Sequence, residues 1–203
     1  MAETYRQKGG IGVTMSATRY DEGNAAFSNK AHAAARNVLY PLLFDAASDK
    51  LSFDNDTLLQ HGERGAVLDG QMGIDRIVNV TVDKLRAPLR FTVQERFRRP
   101  NYTTYRDLTV TEWNHASNLP SELYKITADY FLYGYFDDAQ GVFQEAIAIS
   151  VPDLLLSVSK HNIPYVMKPN KKQQTFLAFK FDDLDKAGLI RLWYPKDYST
   201  KQR

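Results

Sequence analysis

The chain contains no cysteine. That excludes disulfides, zinc–thiolate sites and thiol nucleophiles, and it fits an expected cytoplasmic location. Charge of one sign is also lacking. Twenty-six Lys and Arg against 24 Asp and Glu leave a formal net charge of +2, too little to imply a nucleic-acid partner by itself. No apolar run approaches the roughly 18 residues of a membrane-spanning helix, so no membrane association is expected. Met1 to Gly10 is polar and charged with no apolar segment behind it, which gives no sign of a secretory leader. His32, His61, His115 and His161 have no metal-ligand spacing. There is no Gly-x-Ser-x-Gly elbow and no Walker phosphate loop, and Gly9-Gly10-Ile11-Gly12 does not follow a strand. Asp182-Asp183-Leu184-Asp185 lacks the calcium-loop pattern; it reads as a helix start favoured by the dipole.

What is present points to one mixed domain spanning 1–203, with 1–23 a loose arm rich in glycine and small polar residues. Twelve tyrosines and 11 phenylalanines favour strands over a helical bundle. The expected class is α/β (α+β), a central mixed sheet flanked by helices. Phe27, Ala31, Ala34, Val38 and Leu42 recur at helical spacing, widened by Ala35, Leu39 and Leu43, and predict a helix over 24–44. Asn24 or Ser28 would cap it, and Pro41 either kinks its end or stops it at Tyr40. Residues 45–70 read as turns. Strands are expected at 72–80, 89–98 and 108–113, then a short helix over 121–129. The run 130–136 is apolar on both faces, which predicts a buried central strand. A turn at 137–141 leads into a strand at 142–151 and a helix at 154–161. A basic loop at 162–174, a strand at 175–181, a short helix at 182–187 and a strand at 189–194 complete the order.

Between Lys84 and Arg106 the basic residues are Lys84, Arg86, Arg90, Arg96, Arg98, Arg99 and Arg106, and Glu95 is the only acid. Phe91, Phe97, Tyr102 and Tyr105 interleave with them. Such a stretch suits phosphate contacts and base stacking. With Lys168, Lys171 and Lys172 in the later loop, the candidate nucleic-acid contacts are Arg90, Arg98, Arg99, Tyr102, Arg106 and those lysines. The alternative is a solvated strand and loop with no partner.

Two strand-like segments carry charge where apolar residues are expected: Gly73-Ile74-Asp75-Arg76-Ile77-Val78 and Phe91-Thr92-Val93-Gln94-Glu95-Arg96-Phe97-Arg98. A carboxylate buried in a strand needs a partner, a proton or a metal. Alternation places Val93, Glu95 and Phe97 on one face, and Gln94, Arg96 and Arg98 on the other. Asp75 with Gln94 or Glu95 would hold Mg²⁺ or Mn²⁺, and Arg96 or a nearby lysine would offset charge on a phosphate. The plainer alternatives are ion pairs: Asp75 with Arg96 or Arg98, and Glu95 with a neighbouring arginine. Asp107 reads as a structural partner for Arg106, with a third-ligand role the alternative. Glu145 reads as an ordinary strand acid.

The order helix, three strands, helix, strand over 24–136, with Gly-Ile-Asp75 in the first core strand, resembles the PD-(D/E)xK nuclease superfamily. The resemblance implies a restriction-endonuclease-like core and Mg²⁺-dependent hydrolysis of DNA. It places the family's acid-any-lysine triplet on Gln94-Glu95-Arg96, with glutamine for the acid and arginine for the lysine. Lys125, in Glu122-Leu123-Tyr124-Lys125, is the alternative source of the lysine. The implied site is then Asp75, Gln94, Glu95, Arg96 and Lys125, in a chain that acts as a homodimer if two sites cut two strands. A non-catalytic nucleic-acid-binding or protein-interaction module on the same fold is the other expectation.

Overall fold

Small residues let the first helix lie close to the sheet. The computed structural model describes residues 22–54, 72–170 and 173–195. In it α1 runs Glu22–Phe44. Phe27, Ala31, Ala35, Leu39 and Tyr40 are buried, whereas Val38 and Leu42 of the expected stripe are 37% and 53% exposed. The buried face is therefore turned toward Ala35 and Leu39. Alanines at 31 and 35 permit close approach, and the turn carries the Tyr40 hydroxyl to a buried carboxylate. The helix does not stop at Tyr40: Pro41 lies inside it, as do the expected caps Asn24 and Ser28. Phe44 holds the last turn by stacking on Phe91 at 4.9 Å, and Asp45 (φ 47°) then leaves the helix in the left-handed region.

The strands in chain order are β1 (Leu51–Phe53), β2 (Arg76–Val80), β3 (Leu89–Arg98), β4 (Asp107–Asn114), β5 (Leu119–Pro120), β6 (Tyr130–Asp137), β7 (Val142–Ser150), β8 (Val166–Asn170), β9 (Gln174–Lys180) and β10 (Ile190–Tyr194). Two short helices, α2 (Val151–Ser159) and α3 (Phe181–Lys186), follow β7 and β9. Pro152 stands in the first turn of α2, and the Ser150 hydroxyl caps it by accepting from the Asp153 N–H.

Six strands form a mixed sheet in the order β1-β2-β3-β6-β7-β10, and four form a second sheet in the order β5-β4-β9-β8. The β3–β6 pair is parallel and every other pair in the six-stranded sheet is antiparallel. Between β3 and β6 the chain leaves for the second sheet, pairing β4 with β9, and then returns. The third expected strand thus sits in a different sheet from the first two. The expected helix at 121–129 is a single 3₁₀ turn, Glu122–Tyr124. It stops because the following backbone is claimed elsewhere: Thr127 N–H donates to Met72 O and Asp129 N–H to Thr92 O. β1 and β8 fall where turns or loops are expected, β5 lies where 118–122 reads as a helix start, and Lys168 lies on β8.

The six-stranded sheet is buried on both faces. Phe131, Tyr133 and Tyr135 of β6 pack with Leu108, Val110, Leu177 and Phe179 of the second sheet. Leu132 and Phe136 face the other way, against Phe27, Ala31 and Leu39 of α1. This is the central strand expected of the aromatic run. Three layers result: α1, the mixed sheet, and the second sheet with α2 and α3. Among the described residues no helix is long and apolar enough to cross a membrane.

Candidate functional site

Strand β3 carries charge to both of its faces. On the α1 face, the Glu95 side chain is fully buried. Arg76 Nε donates to its Oε2 at 2.9 Å and the Tyr40 hydroxyl to its Oε1 at 2.8 Å. His32 Nδ1 lies 2.7 Å from Oε2, and His32 Nε2 lies 2.9 Å from Ser28 Oγ, one turn earlier on α1. Burial pushes the Glu95 carboxyl up, but His32, Arg76 and Tyr40 together outweigh it and hold the group below its ordinary value. Burial first, and the Glu95 charge second, push the Tyr40 hydroxyl well up. Both carboxylate oxygens of Glu95 are therefore engaged.

The opposite face is built differently. Gln94, Arg96 and Lys125 line one pocket of about 260 Å³, together with Gly73, Thr111, Ser121 and Glu122. Arg96 Nη2 contacts both Glu122 oxygens, at 2.7 and 2.6 Å, and its Nη1 donates to Thr109 O at 2.7 Å. Glu122 also accepts the Thr111 N–H at 3.1 Å. Gln94 is buried, and its Oε1 meets no hydrogen-bond donor. Gly73 forms the floor at φ 58°; a Cβ there would stand 3.2 Å from Ile126 Cα and 3.4 Å from Gln94 Oε1.

Asp75 stands just ahead of β2, in line with the strand. Its N–H donates to Val93 O and its Oδ2 accepts the Glu95 N–H at 2.7 Å. Its carboxylate so continues the β2–β3 ladder beyond the last residue pair, Arg76 with Val93. Asp75 is next to the Gln94 pocket in register but is not among its lining residues. Neither of the ion pairs expected for Asp75, with Arg96 or Arg98, is the contact that positions it. Among the described residues no group of three or more His, Cys, Asp or Glu side chains is placed to hold a metal ion.

The basic residues divide into two sets. Arg90 pairs with Asp54 at 2.5 Å, Arg106 with Glu145 at 2.9 Å and Asp182 at 3.5 Å, and Lys168 with Asp107 at 3.1 Å. Arg98 and Arg99 instead donate to neutral oxygens, Thr109 Oγ1 for the first and Asn24 Oδ1 and Gly23 O for the second. With Tyr102 they line a separate groove. Lys171 and Lys172 lie outside the described residues. Asp107 is a structural acid as expected, but its partners are Lys168 and Lys180 and not Arg106. Glu145 is buried against Arg106 and the Trp193 ring N–H.

No family model, no curated protein and no solved structure matches this chain. The site is thus read from its own residues. Sequence reasoning passed over His32, Tyr40 and Arg76, which dispose of Glu95. The available signal was the Ser28–His32 spacing of four on a helix whose apolar face includes Ala31 and Ala35.

Proposed function

We propose that this chain is a divergent metal-dependent nuclease with a restriction-endonuclease-like core, hydrolysing DNA phosphodiester bonds at the Gln94 pocket. One observation carries the reading. Gln94, Arg96 and Lys125, three of the five positions that the family resemblance singles out, line a single pocket, and Gln94 Oε1 is buried without a donor. A buried carbonyl oxygen left unpaired costs free energy unless a ligand meets it.

Magnesium keeps several waters and takes one or two protein oxygens plus substrate phosphates. The Asp75 carboxylate and the Gln94 carbonyl fit that need in kind; Glu95 does not, being turned to α1 and paired there. Such an ion supplies Lewis acidity and a more acidic water when bound. The chain's own contribution is positive charge and position. Lys125 is exposed at the pocket rim, free to meet a phosphate oxygen. Arg96 is held by Glu122 in one orientation, so its charge is fixed before substrate arrives.

The second reading, a non-catalytic nucleic-acid-binding module, is favoured by the Arg96–Glu122 pair, which occupies the pocket's own carboxylate. Cleavage assays on DNA with Mg²⁺ or Mn²⁺ separate the two. Asp75→Asn keeps an oxygen for the Glu95 N–H, so cleavage falls at least 100-fold while the fold and DNA binding persist. Wild-type protein that binds but never cuts DNA or RNA with either ion returns the second reading.

A further inference from the structure

The groove that gathers Arg98 and Arg99 lies at the C-terminal end of β3 and shares only Arg96 with the lining of the Gln94 pocket. It measures about 640 Å³ and runs between the first turns of α1 and the C-terminal end of β3. Asn24, Ser28 and His32 form one side; Arg98, Arg99 and Tyr102 form the other. Glu95 reaches its base, but that carboxylate is already matched by Arg76 at 2.9 Å. Among the described residues neither Arg98 nor Arg99 meets a carboxylate. A guanidinium has five N–H donors, and one hydrogen bond from Arg98 and two from Arg99 leave most of them open.

Both guanidiniums are oriented by rings. Arg98 stands 5.4 Å over Tyr102 and Arg99 4.7 Å over Phe27. Ring stacking and neutral hydrogen bonds hold an arginine in place without cancelling its charge. The contrast with Arg90, Arg106 and Lys168, each neutralised by an acid, is the informative one. Arg98 is held on the side of the second sheet and Arg99 on the side of α1, yet both line the groove with Ser28 and His32; two guanidiniums without a carboxylate partner there suit a phosphoryl group, which arginine grips with paired N–H donors.

We infer that this groove is a phosphate-binding site for a nucleic-acid strand, separate from the Gln94 pocket. This rests on the nucleic-acid part of the proposed function and not on cleavage. The phosphate would be either an internal phosphodiester or a 5′-terminal monoester; both present the same oxygens. Contacts of this kind set the register of a strand and carry no sequence information.

The test is fluorescence anisotropy in EDTA, where no cleavage occurs, with oligonucleotides carrying a 5′-phosphate or a 5′-hydroxyl. Arg99→Gln and Arg98→Gln are each expected to weaken binding about tenfold. Each should also lower the slope of log K against log salt by about one phosphate contact, roughly 0.7 to 0.9. Lys186→Gln, the same charge change elsewhere, should alter affinity less than twofold. Arg99 is exposed, so its variant folds, and thermal melting checks Arg98. Equal losses on both oligonucleotides assign an internal phosphate; a loss confined to the 5′-phosphorylated one assigns a strand end. Folded Arg99→Gln protein that binds with wild-type affinity and salt slope overturns the proposal. So does an equal loss in Lys186→Gln. Binding in EDTA is read without cleavage, so a failure of the groove and a failure of the cleavage site read out separately.

Discussion

Gln94 and Glu95 are neighbours in the chain and serve opposite faces of the same sheet. The Glu95 carboxylate is enclosed by Arg76, Tyr40 and His32 beneath α1, while Gln94 lines the pocket on the other face and its carbonyl oxygen is buried without a donor. One step along a strand therefore separates a carboxylate met by three side chains from an amide oxygen met by none.

That division predicts opposite phenotypes for the two residues. Glu95→Gln removes the buried charge that Arg76, Tyr40 and His32 converge on, which costs about 3–5 kcal/mol. Gln94→Ala removes an oxygen that has no protein partner, so stability changes by about 1 kcal/mol or less while metal-dependent cleavage is lost. Urea denaturation and a DNA cleavage assay on both variants check this. Equal destabilisation would place Gln94 in the structural set as well.

Stability should fall at both ends of the pH scale for identifiable reasons. The Glu95 carboxyl is lowered in the folded protein. It therefore contributes stability that is present above the ordinary glutamate value of about 4.3 and is lost as pH falls through its native value. Tyr40 and Tyr133 are raised by burial. Their contribution is complete below the ordinary tyrosine value near 10 and is lost as pH rises toward the native one. Denaturation midpoints against pH should show both limbs. Glu95→Gln should flatten the acid limb, and Tyr40→Phe should weaken the alkaline one.

Gly73→Ala should be worse than Gly141→Ala, although both glycines have positive φ. At Gly141 (φ 72°) an added Cβ meets nothing within 4 Å, so the cost is the left-handed backbone alone, about 1–2 kcal/mol. At Gly73 the Cβ would also press on the Ile126 backbone at 3.2 Å. Thermal melts of the two variants should differ in that order, and Gly73→Ala should also impair cleavage by crowding Gln94 Oε1. Equal melting temperatures would show that the pocket floor yields.

Periodicity made the main elements legible. The aromatic strand Tyr130–Asp137, the buried charges of β3 and the length of α1 all follow from residue spacing. The rotation of α1 does not: alanine counts weakly as apolar, yet Ala31 and Ala35 are fully buried because their smallness is what the contact needs. Alternation also placed Gln94 and Arg96 together and Glu95 apart, but the three partners of Glu95 come from α1 and β2. The pairing of Arg106 with Glu145 and of Lys168 with Asp107 depends on two sheets meeting. Local pattern carries no record of that. The outer strands of the second sheet were hidden because β5 and β8 contain Pro120 and Pro169, which read as a helix start and a loop.

The parallel pairing of β3 with β6 has a kinetic consequence. Gln94 and Arg96 lie before the excursion through Arg99–Asp129, and Glu122 and Lys125 lie within it. The two halves of the pocket meet only when that long loop has closed, and loop closure costs chain entropy before any contact rewards it. No isolated hairpin of this chain contains the pocket. During refolding, the pocket should therefore form late, after the antiparallel hairpin of β6 and β7 has already given the sheet its spectroscopic signature.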